Sequence, residues 1–169
     1  MTVLVLLYTM VNVLISDSLS THAKEIFLSR GIDVDVKTNL SEEDLVKEIK
    51  SYNALVVRSS TKVNKKIIEA AKNLKVVGRA GIGVDNIDIK VASKKGVIVM
   101  NTPFGNSITT AEHAIALIFS LARKIPQASE STHSGKWEKS KFMGSELFGK
   151  TLGLIGCGRI GSIVANRAI

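Results

Sequence analysis

The chain has 169 residues, 45% of them apolar, and 23 Lys and Arg against 15 Asp and Glu leave a net charge of +8. That is enough apolar chain for a packed core, and two prolines with no repeat or low-complexity tract exclude disordered and solenoid classes. The basic residues are scattered without aromatic interleaving or a nucleic-acid motif, so they read as solvated surface plus a site for a small anion, with no nucleic-acid partner.

Met1 to Ile15 is almost entirely apolar and carries no charge. It is too short for a spanning helix and lacks both a basic n-region and a small-residue cleavage site, so neither membrane insertion nor secretion is expected. Initiation at Met10 is an alternative to Met1, and would leave the first nine residues outside the fold. From Val13 to Met100 short β-branched runs alternate with amphipathic helical stretches, the pattern of a parallel sheet with helical crossovers. Strands are expected at Val13 to Ser16, Asp33 to Val36, Ala54 to Val57, Lys75 to Gly78 and Val97 to Met100. Between the first two, Ala23, Ile26 and Phe27 form a helical stripe. Ser41 caps a second helix whose first turn holds Glu42, Glu43 and Asp44, complementing the helix dipole. Asn64 caps a third carrying Ile67, Ile68 and Ala71. The result is an α/β, flavodoxin-like layer.

Arg58 and Arg79 both lie at the carboxyl ends of expected strands, the edge where open α/β sheets bind ligands. After Arg79 the run Ala80-Gly81-Ile82-Gly83-Val84-Asp85-Asn86 has glycines spaced to expose backbone amides as an anion nest. Two arginines on such an edge would clamp a phosphorylated or carboxylated metabolite through paired, charge-assisted bonds. The same residues would also serve as surface ion-pair partners.

The turn Asn101 to Asn106 marks a change of texture, and the domain boundary is expected there, dividing residues 1–104 from 105–169. Ser107 opens the longest helix, with Ala111, Ala114, Ile115, Ile118, Phe119 and Ala122 at helical spacing. Pro126 is expected to end it, and Gln127 to Phe148 reads as a long polar loop, of a length that is functional or reaches toward a partner. Leu152-Gly153-Leu154-Ile155 reads as a strand, followed by Gly156-Cys157-Gly158-Arg159-Ile160-Gly161 and a helix from Arg159 to Ala168. In this pattern the first glycine permits the tight turn, the second lets the backbone approach a pyrophosphate, and the third lets helix and strand pack. The acidic residue that would grip the ribose is expected about 20 residues further on, so NAD and NADP are not distinguished by spacing. The single cysteine, Cys157, suits a reducing, cytoplasmic compartment and fills a small-residue position of the loop.

As a set, Arg58 to Val63, Gly78 to Asn86, Gly96 to Pro103, Ala111-Glu112, Leu121 to Gln127, and Gly135 to Lys139 through Phe142-Met143-Gly144 resemble the D-3-phosphoglycerate dehydrogenases, a branch of the D-2-hydroxyacid dehydrogenase family. The resemblance covers Val13 to Ile169. It implies an oxidoreductase that uses NAD to oxidise 3-phosphoglycerate to 3-phosphohydroxypyruvate in serine biosynthesis. It also implies a substrate-binding domain followed by the start of a Rossmann NAD-binding domain. Arg58, Ser59, Arg79 and Gly81 would bind substrate, and Lys139 would reach a neighbouring subunit's site from a dimerisation loop at 125–148. Lysine there supplies a point charge where many members carry arginine. Ile82, which stands where some members have threonine, contributes its backbone beside the nicotinamide, and Gly156, Gly158, Arg159, Ile160 and Gly161 would hold the pyrophosphate. The resemblance implies a homodimer or homotetramer, built by the Ser107 helix and the following loop. The family's catalytic histidine, glutamate and arginine are expected beyond Ile169; none of His22, His113 or His133 sits in a matching context, and no metal site is expected. On this basis the chain alone would be inactive. A non-catalytic module that senses a dinucleotide or a phosphorylated acid would use the same fold, because fold alone does not establish activity.

Overall fold

The computed structural model describes residues 11–169; the choice between Met1 and Met10, and the first nine residues, lie outside the described part. The chain divides into two compact units between Gly105 and Asn106.

The first unit is a five-stranded, all-parallel sheet. Its strands are β1 (Asn12–Ile15), β2 (Asp33–Val36), β3 (Ala54–Val57), β4 (Val76–Arg79) and β5 (Ile98–Asn101), in the order β2-β1-β3-β4-β5. Helices α1 (Thr21–Ser29), α2 (Glu42–Glu48), α3 (Lys65–Ala70) and α4 (Ile89–Lys94) make the crossovers. Strand residues alternate between the two faces. Leu14, Leu55, Val57 and Val77 point into one core with Leu45, Ile49, Ile67 and Ile68, whereas Val13, Ile15, Val34 and Ala54 point into a second core with Ala23 and Phe27 of α1.

Local chemistry starts the helices where the sequence places them. Ser41 Oγ accepts from the Asp44 N–H at 3.1 Å and Asn64 Oδ1 from the Ile67 N–H at 3.2 Å, each satisfying an amide that the first helical turn leaves without a partner. Asp88 does the same for α4, accepting from the Val91 N–H at 3.1 Å. Two strands run one residue later than expected, β4 and β5 ending at Arg79 and Asn101, and β1 runs one residue earlier, beginning at Asn12, because the ladder pairs Val57 with Arg79, Arg79 with Asn101 and Asn12 with Asp33.

The second unit holds α5 (Ser107–Ala122), α6 (Ile125–His133) and α7 (Arg159–Ala168). Helices α5 and α7 pack together, with Ala111 and Val164 buried. Glu112 Oε1 accepts from Arg167 Nη2 at 2.8 Å and Nε at 3.1 Å across the same pair.

Two expectations fail in this unit. Pro126 opens a helix instead of ending one: Lys124 takes a left-handed φ of 52°, which breaks α5, and proline in a first turn lacks only an N–H that has no helical partner anyway. The expected loop from Gln127 therefore contains most of α6, and a 3-10 turn at Lys139–Phe142 follows. Hydrophobic period could not reveal α6, since it buries no residue; its side chains bond to backbone instead, Thr132 Oγ1 to Ala128 O and Ser134 Oγ to Glu130 O, each at 2.9 Å. The expected strand Leu152 to Ile155 is also not formed. A strand is completed by ladder bonds to a neighbour; among the described residues none pairs with this segment, and Leu152, Leu154 and Ile155 stay exposed.

Candidate functional site

The parallel order puts the residues after β1, β3 and β4 along one carboxyl edge of the first unit's sheet. Arg79 ends β4 and Arg58 follows β3, its neighbour. The arginines come together: Arg79 Nε donates to Arg58 O at 3.4 Å. The Arg79 side chain is only 11% exposed, with Nη2 lying 3.7 Å from Asp85 Oδ1 and Nη1 donating to Gly83 O. Arg58 is exposed, with Nη1 3.5 Å from Ser18 O.

The glycine run wraps this guanidinium. A Cβ at Gly81 would stand 3.4 Å from Arg79 Nη1, whereas at Gly83 it would stand 3.0 Å from Nη1 and 2.8 Å from Asp85 Oδ1. Gly83 thus serves close approach, whereas a Cβ at Gly81 would make an ordinary contact. The loop is tied to β5 and beyond, since Thr102 N–H donates to Gly81 O at 3.0 Å and Asn101 Nδ2 to Ile82 O at 2.6 Å. Ser59, also exposed, lies between Arg58 and a segment held from two directions.

Two residues that hold this edge are not among the sequence candidates. Asp17, 5% exposed, accepts at Oδ2 from the N–H of Arg58 at 2.5 Å and of Thr61 at 3.2 Å, and at Oδ1 from the Thr61 hydroxyl at 2.7 Å. Asn86 Nδ2 donates to Arg58 O at 2.7 Å and to Thr61 O at 2.6 Å, while its Oδ1 is buried without a partner. An unsatisfied buried acceptor costs about 1–3 kcal/mol. The signal for Asp17 was present, because it stands just past β1 on the same edge as the arginines. A cavity of about 270 Å³ opens beside it, lined among others by Ser16, Asp17, Asn39, Ser60 and Thr61.

The remaining candidates belong to the second unit. Lys139 is exposed on the 3-10 turn. The glycine loop has the features that a pyrophosphate cradle requires. Gly156 adopts φ 94°, a conformation that suits glycine, and Gly158 precedes α7 with no side chain capping its first amides. At Gly161 a Cβ would collide with Gly156 O, so the third glycine is needed for close approach. Arg159 and Ile160 open the helix beside these amides. These residues fit a dinucleotide phosphate. Elsewhere, His22 pairs with Glu25 at 3.0 Å and His133 Nδ1 lies 2.8 Å from Ser129 O. Among the described residues there is no cluster of His, Cys, Asp and Glu able to hold a metal, and no helix is long and apolar enough to cross a membrane.

Residues 13–166 match the family described as D-isomer specific 2-hydroxyacid dehydrogenase, catalytic domain. The D-3-phosphoglycerate dehydrogenase of Archaeoglobus fulgidus is 56% identical over 155 residues, which are 92% of this chain and 29% of that enzyme. A Thermus thermophilus crystal structure superposes with a TM-score of 0.85 at 31% identity, covering 93% of this chain and 52% of that one. The NAD+-bound 3-phosphoglycerate dehydrogenase of Entamoeba histolytica gives a TM-score of 0.75 at 31% identity, over 94% of this chain and 50% of that one.

Proposed function

The chain belongs to the D-isomer specific 2-hydroxyacid dehydrogenases, and from that premise we propose that it is the amino-terminal part of a cytoplasmic, NAD-dependent D-3-phosphoglycerate dehydrogenase that oxidises 3-phospho-D-glycerate to 3-phosphohydroxypyruvate in serine biosynthesis. The first unit is the substrate-binding domain and the second begins the NAD-binding domain. The observation that carries this reading is the convergence of Arg58 and Arg79 on one sheet edge, 3.4 Å apart from Nε to backbone O. Such a substrate carries roughly three negative charges, about two on the phosphate and one on the carboxylate. Two guanidiniums answer that charge with directed donors, and the Gly81 loop brings backbone close beside them.

In this reading Arg58 and Ser59 meet the substrate from the β3 side, and Arg79 orients it from β4 as the Gly81 and Ile82 backbone closes beside it. Bound NAD supplies the hydride acceptor. The amides opening α7, with Arg159 and Ile160, hold its pyrophosphate, and the bare turn at Gly156 and Gly158 lets the phosphates approach the backbone. None of His22, His113 or His133 acts as the general base. Lys139 serves the site of a second copy in a homodimer or homotetramer built through α5 and residues 125–148.

Calorimetric titration of the chain with 3-phosphoglycerate, and separately with NADH, tests the reading. Saturable heat with 3-phosphoglycerate, weakened at least about tenfold in Arg58→Gln and Arg79→Gln, is the expected result. No heat with either ligand overturns it.

A further inference from the structure

Arg58 offers its side chain to solvent, yet its peptide is gripped from both directions. Its N–H goes to Asp17 Oδ2 at 2.5 Å, and its carbonyl accepts from Asn86 Nδ2 at 2.7 Å and from Arg79 Nε at 3.4 Å. Thr61, three residues on, is held by the same pair: its N–H and hydroxyl by Asp17 at 3.2 and 2.7 Å, its carbonyl by Asn86 at 2.6 Å. One carboxylate from the end of β1 and one carboxamide from the loop after β4 therefore bracket the whole Arg58 to Thr61 segment.

The chemistry of each bracket is one-sided. Asp17 only accepts and takes three donors; Asn86 meets two carbonyls, which fixes its amide orientation, because the flipped form would aim Oδ1 at both of them. Its Oδ1 is left buried and unpaired as a result. A side chain that keeps an unsatisfied atom in order to donate twice is organised for more than packing. The shared carbonyl of Arg58 then joins the two arginines, since Asn86 and the Arg79 guanidinium both bond to it.

The geometry points to Asp17 and Asn86 as positioning residues that hold Arg58 and Arg79 in one preformed clamp before an anion arrives. This rests on the reading of the two arginines as a substrate clamp. Neither residue needs to touch the substrate; each acts through the arginine backbone. Preorganisation of this kind raises affinity by removing the cost of ordering the binding groups.

The test uses isotopically labelled chain, wild type and Asn86→Ala, with three readouts: thermal melting, the arginine Nε–Hε resonances of Arg58 and Arg79 without ligand, and the affinity for 3-phosphoglycerate. The expected result is a cooperative melt, shifted and broadened resonances at both arginines, and binding about five- to tenfold weaker. If Asn86→Ala does not melt cooperatively, Asp17→Asn carries the same test, being isosteric while replacing part of the carboxylate's acceptor capacity with a donor. Unchanged arginine resonances overturn the proposal, as does affinity within twofold of wild type. If wild-type chain itself binds no 3-phosphoglycerate, the substrate reading fails, and the ligand-free resonances still decide whether Asp17 and Asn86 set the arginines.

Discussion

Gly161→Ala sets two effects of opposite sign against each other. Alanine in a helix is ordinarily favoured over glycine by roughly 0.5–1 kcal/mol, so on propensity alone the substitution in α7 should stabilise the chain. The structure argues the reverse. The new Cβ would collide with the carbonyl oxygen of Gly156, a backbone atom that cannot swing aside as a side-chain tip would. Relief requires moving the 156–158 turn, already at φ 94°, or tilting α7. The tilt is opposed by buried Val164 and by the Arg167–Glu112 pair at 2.8 Å. Overpacking against fixed neighbours costs about 1–3 kcal/mol, and a collision with a backbone atom falls in the upper part of that range, about 2–3 kcal/mol, which leaves a net loss of about 1–2.5 kcal/mol after the helix gain. For a chain of this size each kcal/mol corresponds to about 2–4 °C, so differential scanning calorimetry should show a fall of about 2–10 °C, with faster amide exchange along α7. Gly153→Ala is the control, because a Cβ there meets nothing within 4 Å, and it should not lower Tm. A higher Tm for Gly161→Ala, or unchanged exchange in α7, would refute the reasoning.

Gly83→Ala should behave differently, because its Cβ would press only on the side chains of Asp85 and Arg79. Urea unfolding should register a change under about 1 kcal/mol, while 3-phosphoglycerate binding measured by calorimetry weakens several-fold as the guanidinium is pushed aside. Leu55, fully buried in the central strand β3, should cost about 2–5 kcal/mol as Leu55→Ala in the same urea assay. Hydrogen bonds from Lys66 and Asn64 hold the Glu42 carboxyl below its ordinary value. Its stabilising contribution is therefore present above the unfolded-state pKa of about 4.3 and is lost as pH falls through the lower folded value. Acid unfolding followed by circular dichroism should thus have a shallower limb below about pH 4 in Glu42→Gln, and an identical limb would contradict the assignment.

What the sequence by itself determined is what depends on neighbours within a few residues. The caps at Ser41 and Asn64, the β-branched runs of the sheet and the helix from Arg159 to Ala168 all follow from local hydrogen bonding and side-chain period, and the structure has them there. Arg58 and Arg79 were legible as candidates because the ends of parallel strands share one edge. Tertiary structure alone decided the rest. Asp17 stands at a strand end as the arginines do, but it is 41 residues from the Arg58 amide it accepts from, and Asn86 is 28 from the carbonyl it donates to, so no local pattern announces the bonds that either makes. Helix α6 has no buried face to impose a period, and Leu152 to Ile155 has strand-like composition without a partner strand among the described residues. Composition and period act through the chain's immediate neighbours, whereas a clamp or a ladder exists only once distant segments supply its other half.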